Sequence, residues 1–156
     1  MAQWFVALAE SPNDDRHPYF CRSSWGAVDS ILWLAYDAEV EPGNAEIFVR
    51  ALYCRESAWR EPLRLTFDPA TDQNPVVELV ADSAVIVWES NRRGNWDLMY
   101  ATHGQAGWSA AEFVTTDSAD EREPALASSF WWSSGRWLSR VLLVYSRGGV
   151  LFIAAF

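Results

Sequence analysis

The run Val87-Trp88-Glu89-Ser90-Asn91-Arg92-Arg93-Gly94-Asn95-Trp96-Asp97-Leu98-Met99-Tyr100 decides the fold. β-Branched and aromatic residues flank a Gly/Asn turn, the pattern of a β-hairpin. Working outward, the hairpin has an earlier copy: Tyr36-Asp37 matches Trp88-Glu89, and Gly43-Asn44-Ala45-Glu46-Ile47-Phe48 matches Gly94-Asn95-Trp96-Asp97-Leu98-Met99. Downstream, Trp59-Arg60 matches Trp108-Ser109. Six residues on, the eleven residues Leu65 to Pro75 match Val114 to Pro124 without a gap.

The result is a repeat of about fifty residues, in the range of propeller blades. A weaker copy opens the chain, where Leu8 and Pro18 keep the ten-residue separation of Leu65 to Pro75 and of Val114 to Pro124, with Asp14 and Asp15 between them. Pro18, Pro75 and Pro124 lie 57 and 49 residues apart, and the 33 residues from Pro124 to Phe156 with the 17 before Pro18 make one further period. The three copies are therefore in cyclic register. In the second copy the expected strands are 75–80, 84–89, 96–102 and 108–115, with Gly104-Gln105-Ala106-Gly107 as the last turn. No sustained 3.6-residue stripe with caps occurs, so almost no helix is expected.

These residues carry a resemblance. The run from Val87 to Tyr100, followed by Gly107-Trp108-Ser109 and by Leu65-Thr66 or Val114-Thr115, resembles the blade of TolB-type (WD40-like, PD40) propellers and of sialidase-like (BNR) repeat proteins. It covers two full repeats and most of a third. The resemblance implies an all-β fold, a β-propeller of four-stranded antiparallel blades. It implies no particular activity, because such blades serve unrelated roles. The Asp-box of the sialidase-like family wants Ser/Thr-x-Asp-x-Gly-x-x-Trp, and Thr102-His103-Gly104-Gln105-Ala106-Gly107-Trp108 keeps the Trp but lacks the Asp.

The expected organisation is one unit over 1–156: blade 1 at about 18–67, blade 2 at about 75–116, and blade 3 at about 124–156, closed by an N-terminal strand over 3–9. Whether that strand closes its own chain or a partner's is left open, its own chain being favoured for proximity. Propellers close with four to eight blades, so three would form an open arc with two apolar faces exposed. Two chains would complete a six-bladed ring, and the expected partner is the protein itself, as a homodimer. A fragment of a longer chain and an open filament are the alternatives.

Composition bounds the ligands. With 12 bases, all Arg, against 21 acids, the net charge of −9 argues against nucleic acid. No stretch reaches the roughly 18 to 20 apolar residues that span a bilayer. The N-terminus has no basic region followed by a long apolar run, so a cytoplasmic location is expected. Cys21 and Cys54 are too few for a disulfide scaffold and have no zinc spacing, and they read as apolar fillers.

Blade geometry puts the D-to-A and B-to-C loops on one face, where the acids collect. Asp15, Asp72, Asp120 and Glu121, with Arg92, Arg93 and Arg147 from B-to-C turns, are the candidate binding residues for a cation, a carbohydrate or a basic peptide. Asp14, Asp68 and Asp117 accompany them. The competing reading is that Asp in such loops caps turns by accepting backbone N–H groups. Trp59, Trp88 and Trp108 recur in phase and read as packing between blades. Trp25, Trp131, Trp132 and Trp137 fall off phase near A-to-B hairpins. Trp25, Trp131 and Trp132 join the candidates as stacking surfaces for a sugar, against a role in packing or a subunit interface.

Enzyme motifs are missing. Nothing marks a pair of placed carboxylates as a glycosidase needs, and His17 and His103 have no Ser or Cys elbow. Neither a phosphate-binding glycine loop nor a metal-binding loop occurs, so no cofactor or metal is expected. A non-enzymatic binding or scaffold protein that self-assembles is the reading. A purely structural assembly and a glycosidase or sialidase-like remnant are the alternatives.

Overall fold

The computed structural model describes residues 14–21, 31–80 and 83–155. Within them the chain is all-β, three antiparallel sheets with no helix among the described residues. The first sheet contains β1 (Asp15–Phe20), β2 (Ile31–Glu41), β3 (Asn44–Tyr53), β4 (Ala58–Trp59) and β5 (Leu63–Arg64). The second contains β6 (Asp72–Val80), β7 (Ser83–Ser90), β8 (Asp97–Gly104), β9 (Gly107–Trp108) and β10 (Glu112–Phe113). The third contains β11 (Glu121–Ser133), β12 (Arg136–Arg147) and β13 (Val150–Ala155). In each the first three strands form a meander in which sequence neighbours pair. The expected closing strand at 3–9, and Trp25, lie outside the described residues.

Turn chemistry sets the hairpins. Gly148 and Gly149 join β12 to β13 with φ of +57° and +78°, the two left-handed residues that a tight hairpin with native twist requires. The fourth strand of the repeat differs from expectation. In place of one strand over 108–115, two short pieces pair with the third strand in each of the first two sheets, β4 and β5 on β3, β9 and β10 on β8. In the first sheet Pro62, which has no N–H to donate, stands at the break.

Alternation along the strands sorts side chains between seams. On β2, Trp33 and Ala35 face the second sheet and join Ile47 and Val49 against Val77, Ile86, Trp88 and Met99. On the other face of the second sheet Val85, Val87 and Leu98 meet Leu126, Val141 and Leu143 of the third. The second sheet is thus the middle layer, and its β6 touches both neighbours. Burying each of these large apolar side chains contributes about 1.5–3 kcal/mol. Leu34, Tyr36 and Ala38 form a third cluster with Phe48 and Trp59 on the face of the first sheet turned away from the second.

One irregularity recurs in phase. The residue before each repeat proline, His17, Asn74 and Glu123, has φ of +48°, +55° and +58°. At each, the first strand of the sheet carries one extra residue relative to its partner, between Arg16 and Tyr19, Gln73 and Val76, and Arg122 and Ala125. These are β-bulges, and they bend the sheet at the same point three times.

Candidate functional site

The acidic loops and the arginines meet at the edges of the seams. Three residues before each repeat proline stands a carboxylate: Asp15, Asp72 and Glu121. Asp72 is fully buried and takes the Arg92 guanidinium at 2.7 Å, while Arg92 Nε donates to Ser90 Oγ at 2.9 Å and Nη1 lies 3.7 Å from Asp68. Glu121, one repeat later, is also fully buried. Arg147 lies 3.5 Å from it and 2.6 Å from Asp117. Asp15 holds the same phase on β1, with its backbone opposite Ala38.

The flanking aspartates close turns. Asp68 Oδ1 accepts the Ala70 N–H and Asp117 Oδ1 the Ala119 N–H, each at 2.9 Å. Both are Asx turns in phase. Asp120 Oδ1 accepts the Trp96 N–H at 2.9 Å, which ties the loop before β11 to the start of β8. Arg93 is more loosely held, 3.9 Å from Asp97 and 5.5 Å from the Phe113 ring.

Burial shapes the titration of these groups. It pushes the carboxyls of Asp72, Glu46 and Asp97 above the usual range, against the opposing pull of Arg92, Arg64 and Arg93 respectively. Glu121 is pushed up to about 6, by burial first and then by the neighbouring Asp117 carboxylate. Asp117 itself is held below its ordinary value, chiefly by the Ala119 N–H. Burial also lowers His103, whose ring lies 4.8 Å from Trp33 and 5.2 Å from Trp108.

A second set of acids was not among the sequence candidates. Asp37 on β2 accepts the Asn74 N–H at 3.0 Å and meets His17 Nδ1 at 2.7 Å. Glu89, one repeat later on β7, accepts the Glu123 N–H at 2.7 Å and Asn74 Nδ2 at 2.9 Å. Arg122 reaches it at 3.0 Å. Each carboxylate thus caps the left-handed residue of the next sheet's bulge and staples two sheets together. The signal was in the sequence: both sit in matching Tyr-Asp and Trp-Glu pairs, at strand positions where alternation turns the side chain inward.

The aromatic candidates stand elsewhere. Trp131 and Trp132 are exposed near the hairpin end of β11, with the Arg140 guanidinium 5.6 Å from the Trp131 ring. Glu121 is at the opposite end of that strand, so roughly 36 Å separates it from Trp132. The structure therefore brings Asp72 and Arg92 together at one seam and Glu121 and Arg147 at the next, and places both tryptophans far from either.

On the loop face lies a shallow cleft of about 300 Å³ lined by Glu41, Asn44, Arg64, Phe67 and Asp68. A smaller hollow of about 190 Å³ shares Phe67 and Asp68 and adds Arg92. Phe67 is exposed, with the Arg64 guanidinium 4.6 Å from its ring. An exposed ring beside guanidinium and carboxylate groups can stack on an apolar face of a ligand and bond its hydroxyl or amide groups. Among the described residues no three His, Cys, Asp or Glu side chains converge as a metal site. No protein-family model matches the chain, and no curated protein matches it.

Proposed function

We propose that the chain is half of a β-propeller, a non-enzymatic scaffold of three blades that pairs with a second copy to make a six-bladed ring. Its loop face would hold a carbohydrate or peptide. The observation that carries this reading is the repetition of one seam: the same bulge and the same carboxylate cap join the first sheet to the second and the second to the third. A seam that repeats in phase is the construction rule of a propeller, and such a rule continues until the ring closes. The ligand is best placed in the cleft at Phe67 and Arg64, since Asp72, Glu121, Arg92 and Arg147 already neutralise one another. That same pairing favours a second reading, in which the protein is purely structural.

Light scattering after size exclusion, at micromolar and then nanomolar protein, tests the assembly. Two chains at both concentrations is the expected result, and a single chain at micromolar concentration overturns it. Screening the protein against glycan and peptide arrays separates the two readings. Binding that disappears in Phe67→Ala, with the fold intact, supports a ligand site, and an empty screen leaves the scaffold.

A further inference from the structure

We infer that the outward face of the third sheet, centred on Leu151 and Ile153, docks onto the Phe20 side of the first sheet of a second copy. The inference rests on the self-assembly proposed above and says which surfaces meet. Strand register gives each residue its counterpart in the other sheets. Leu151 lies opposite Ser146, as Ile47 lies opposite Asp37 and Leu98 opposite Glu89. Ile47 and Leu98 are 0% exposed, whereas Leu151 is 73% exposed. Ile153 corresponds in the same way to Val49, which is 0% exposed, and is itself 67% exposed. Positions that form the core of two seams stand open on the third sheet. With Val144 and Leu142 beside them on β12, they form an apolar patch of the kind that soluble proteins cover.

The receiving surface is on the same chain. Phe20, two residues after Pro18, corresponds to Val77 and Leu126, two residues after Pro75 and Pro124. Val77 and Leu126 are 0% and 7% exposed, and Phe20 is 48% exposed. Next to it, Leu34 and Tyr36 are packed by Phe48 and Trp59, and Phe20 meets the Trp59 ring edge-on at 5.8 Å with the rest of its ring open on that face. Polar groups match as well. Asn74 and Glu123 have their N–H groups capped by Asp37 and Glu89 from the preceding sheet, and His17 is the third left-handed residue of the series. Ser146 holds on the third sheet the place of Asp37 and Glu89, and its hydroxyl can accept the His17 N–H of a second copy. Both halves of a third seam are therefore carried by one chain, on faces that one chain does not join, and this selects a second copy as the occupant.

Cross-linking identifies the faces. In a Cys54→Ser background, Phe20→Cys chains and Leu151→Cys chains are mixed and treated with a short bis-maleimide. Both substituted side chains are exposed, so neither change opens the core. The expected product links the two different variants, with little linkage when either is treated alone. Linkage of Leu151→Cys to itself would mean that third sheets stack face to face, and it overturns the docking while leaving self-assembly intact. An oligomer with no cross-link of either kind does the same. A parent chain that is single at micromolar concentration removes both proposals. Very large species with the expected cross-link support the docking and exclude only the closed ring. As a second variant, Leu151→Asp with Ile153→Asp should weaken association at least tenfold with an unchanged circular dichroism spectrum, and unaltered association overturns the docking.

Discussion

Glu89 gathers the Glu123 N–H, the Asn74 and Gln73 side-chain amides and the Arg122 guanidinium on one buried carboxylate. Removing it strands several donors at once. Glu89→Ala should lower stability by about 3 kcal/mol, the cost of breaking a buried charged network, read from the midpoint of urea unfolding. Glu89→Gln, which keeps one acceptor oxygen, should lose less. Glu121 makes a prediction in pH. Its folded value of about 6 lies above its ordinary 4.5, so between those values the folded chain binds more protons than the unfolded one. The contribution of Glu121 to stability should therefore rise as pH falls from about 6 to 4.5 and should be reduced above 6, where the buried group is charged. The effect is on the order of 1 kcal/mol, because Arg147 and Asp117 beside it are partly solvated. Asp117, held low, acts with the opposite sign only near and below its ordinary 3.8, whereas His103, held below its ordinary 6.5 by burial, opposes the Glu121 slope as pH falls below 6.5. The Glu121 part is the difference between the parent's and the Glu121→Gln variant's thermal midpoints from pH 4.5 to 7.5, and the parent should gain on the variant as pH falls from about 6 to 4.5.

The bulges are the element on which the seams turn, and their left-handed residues store strain. Glu123 has φ of +58° and an exposed side chain, and its backbone N–H carries the staple. Glu123→Gly should therefore keep the cap and relieve the backbone, leaving stability unchanged or raised by up to about 1 kcal/mol. Glu123→Val, whose branched side chain resists that conformation, should cost about 1–2 kcal/mol. A Gly variant less stable than the Val variant, by chemical unfolding, would remove the strain argument. The sequence showed part of this element. Pro18, Pro75 and Pro124 announced the phase, and alternation placed the second sheet's first three strands within three residues of β6, β7 and β8. The left-handed residue before each proline was not legible, because His, Asn and Glu share no side-chain property that demands it. Nor was the division of labour among acids. Spacing displayed Asp72 and Glu121 in loops, but their pairing with Arg92 and Arg147 depends on juxtaposition across neighbouring strands. Asp37 and Glu89, where the staples form, looked like markers of the repeat. The broken fourth strand was hidden for a similar reason: Pro62 marks the break in the first sheet, whereas Ser109-Ala110-Ala111 in the second carries no comparable signal.

At the scale of the whole molecule, stability should be unequal along the chain. The first and second sheets share the larger cluster, with Trp33, Trp88, Ile47, Ile86 and Met99, and the Trp108 ring lies 5.1 Å from Trp33 at its border. The third sheet is held by fewer large side chains, chiefly Leu126, Val141 and Leu143 against Val85, Val87 and Leu98. The Glu89 staple and a 2.9 Å bond from Ser128 to Glu78 assist. In a stack of sheets that touch only their neighbours, a lesion at one seam acts first on the layer it detaches. Leu143→Ala removes a fully buried side chain from the second seam and should cost about 3 kcal/mol. Expressed as local opening, that is roughly a hundredfold faster amide exchange in β11, β12 and β13, with β2 and β3 keeping their parental protection. Ile86→Ala, in the middle sheet at the larger cluster, should instead lower protection in the first and second sheets. Hydrogen exchange followed by mass spectrometry on both variants separates the outcomes. If Leu143→Ala accelerates β2 and β3 as much as β12, the three sheets open as one unit, and the seams are coupled more tightly than the two separate clusters imply.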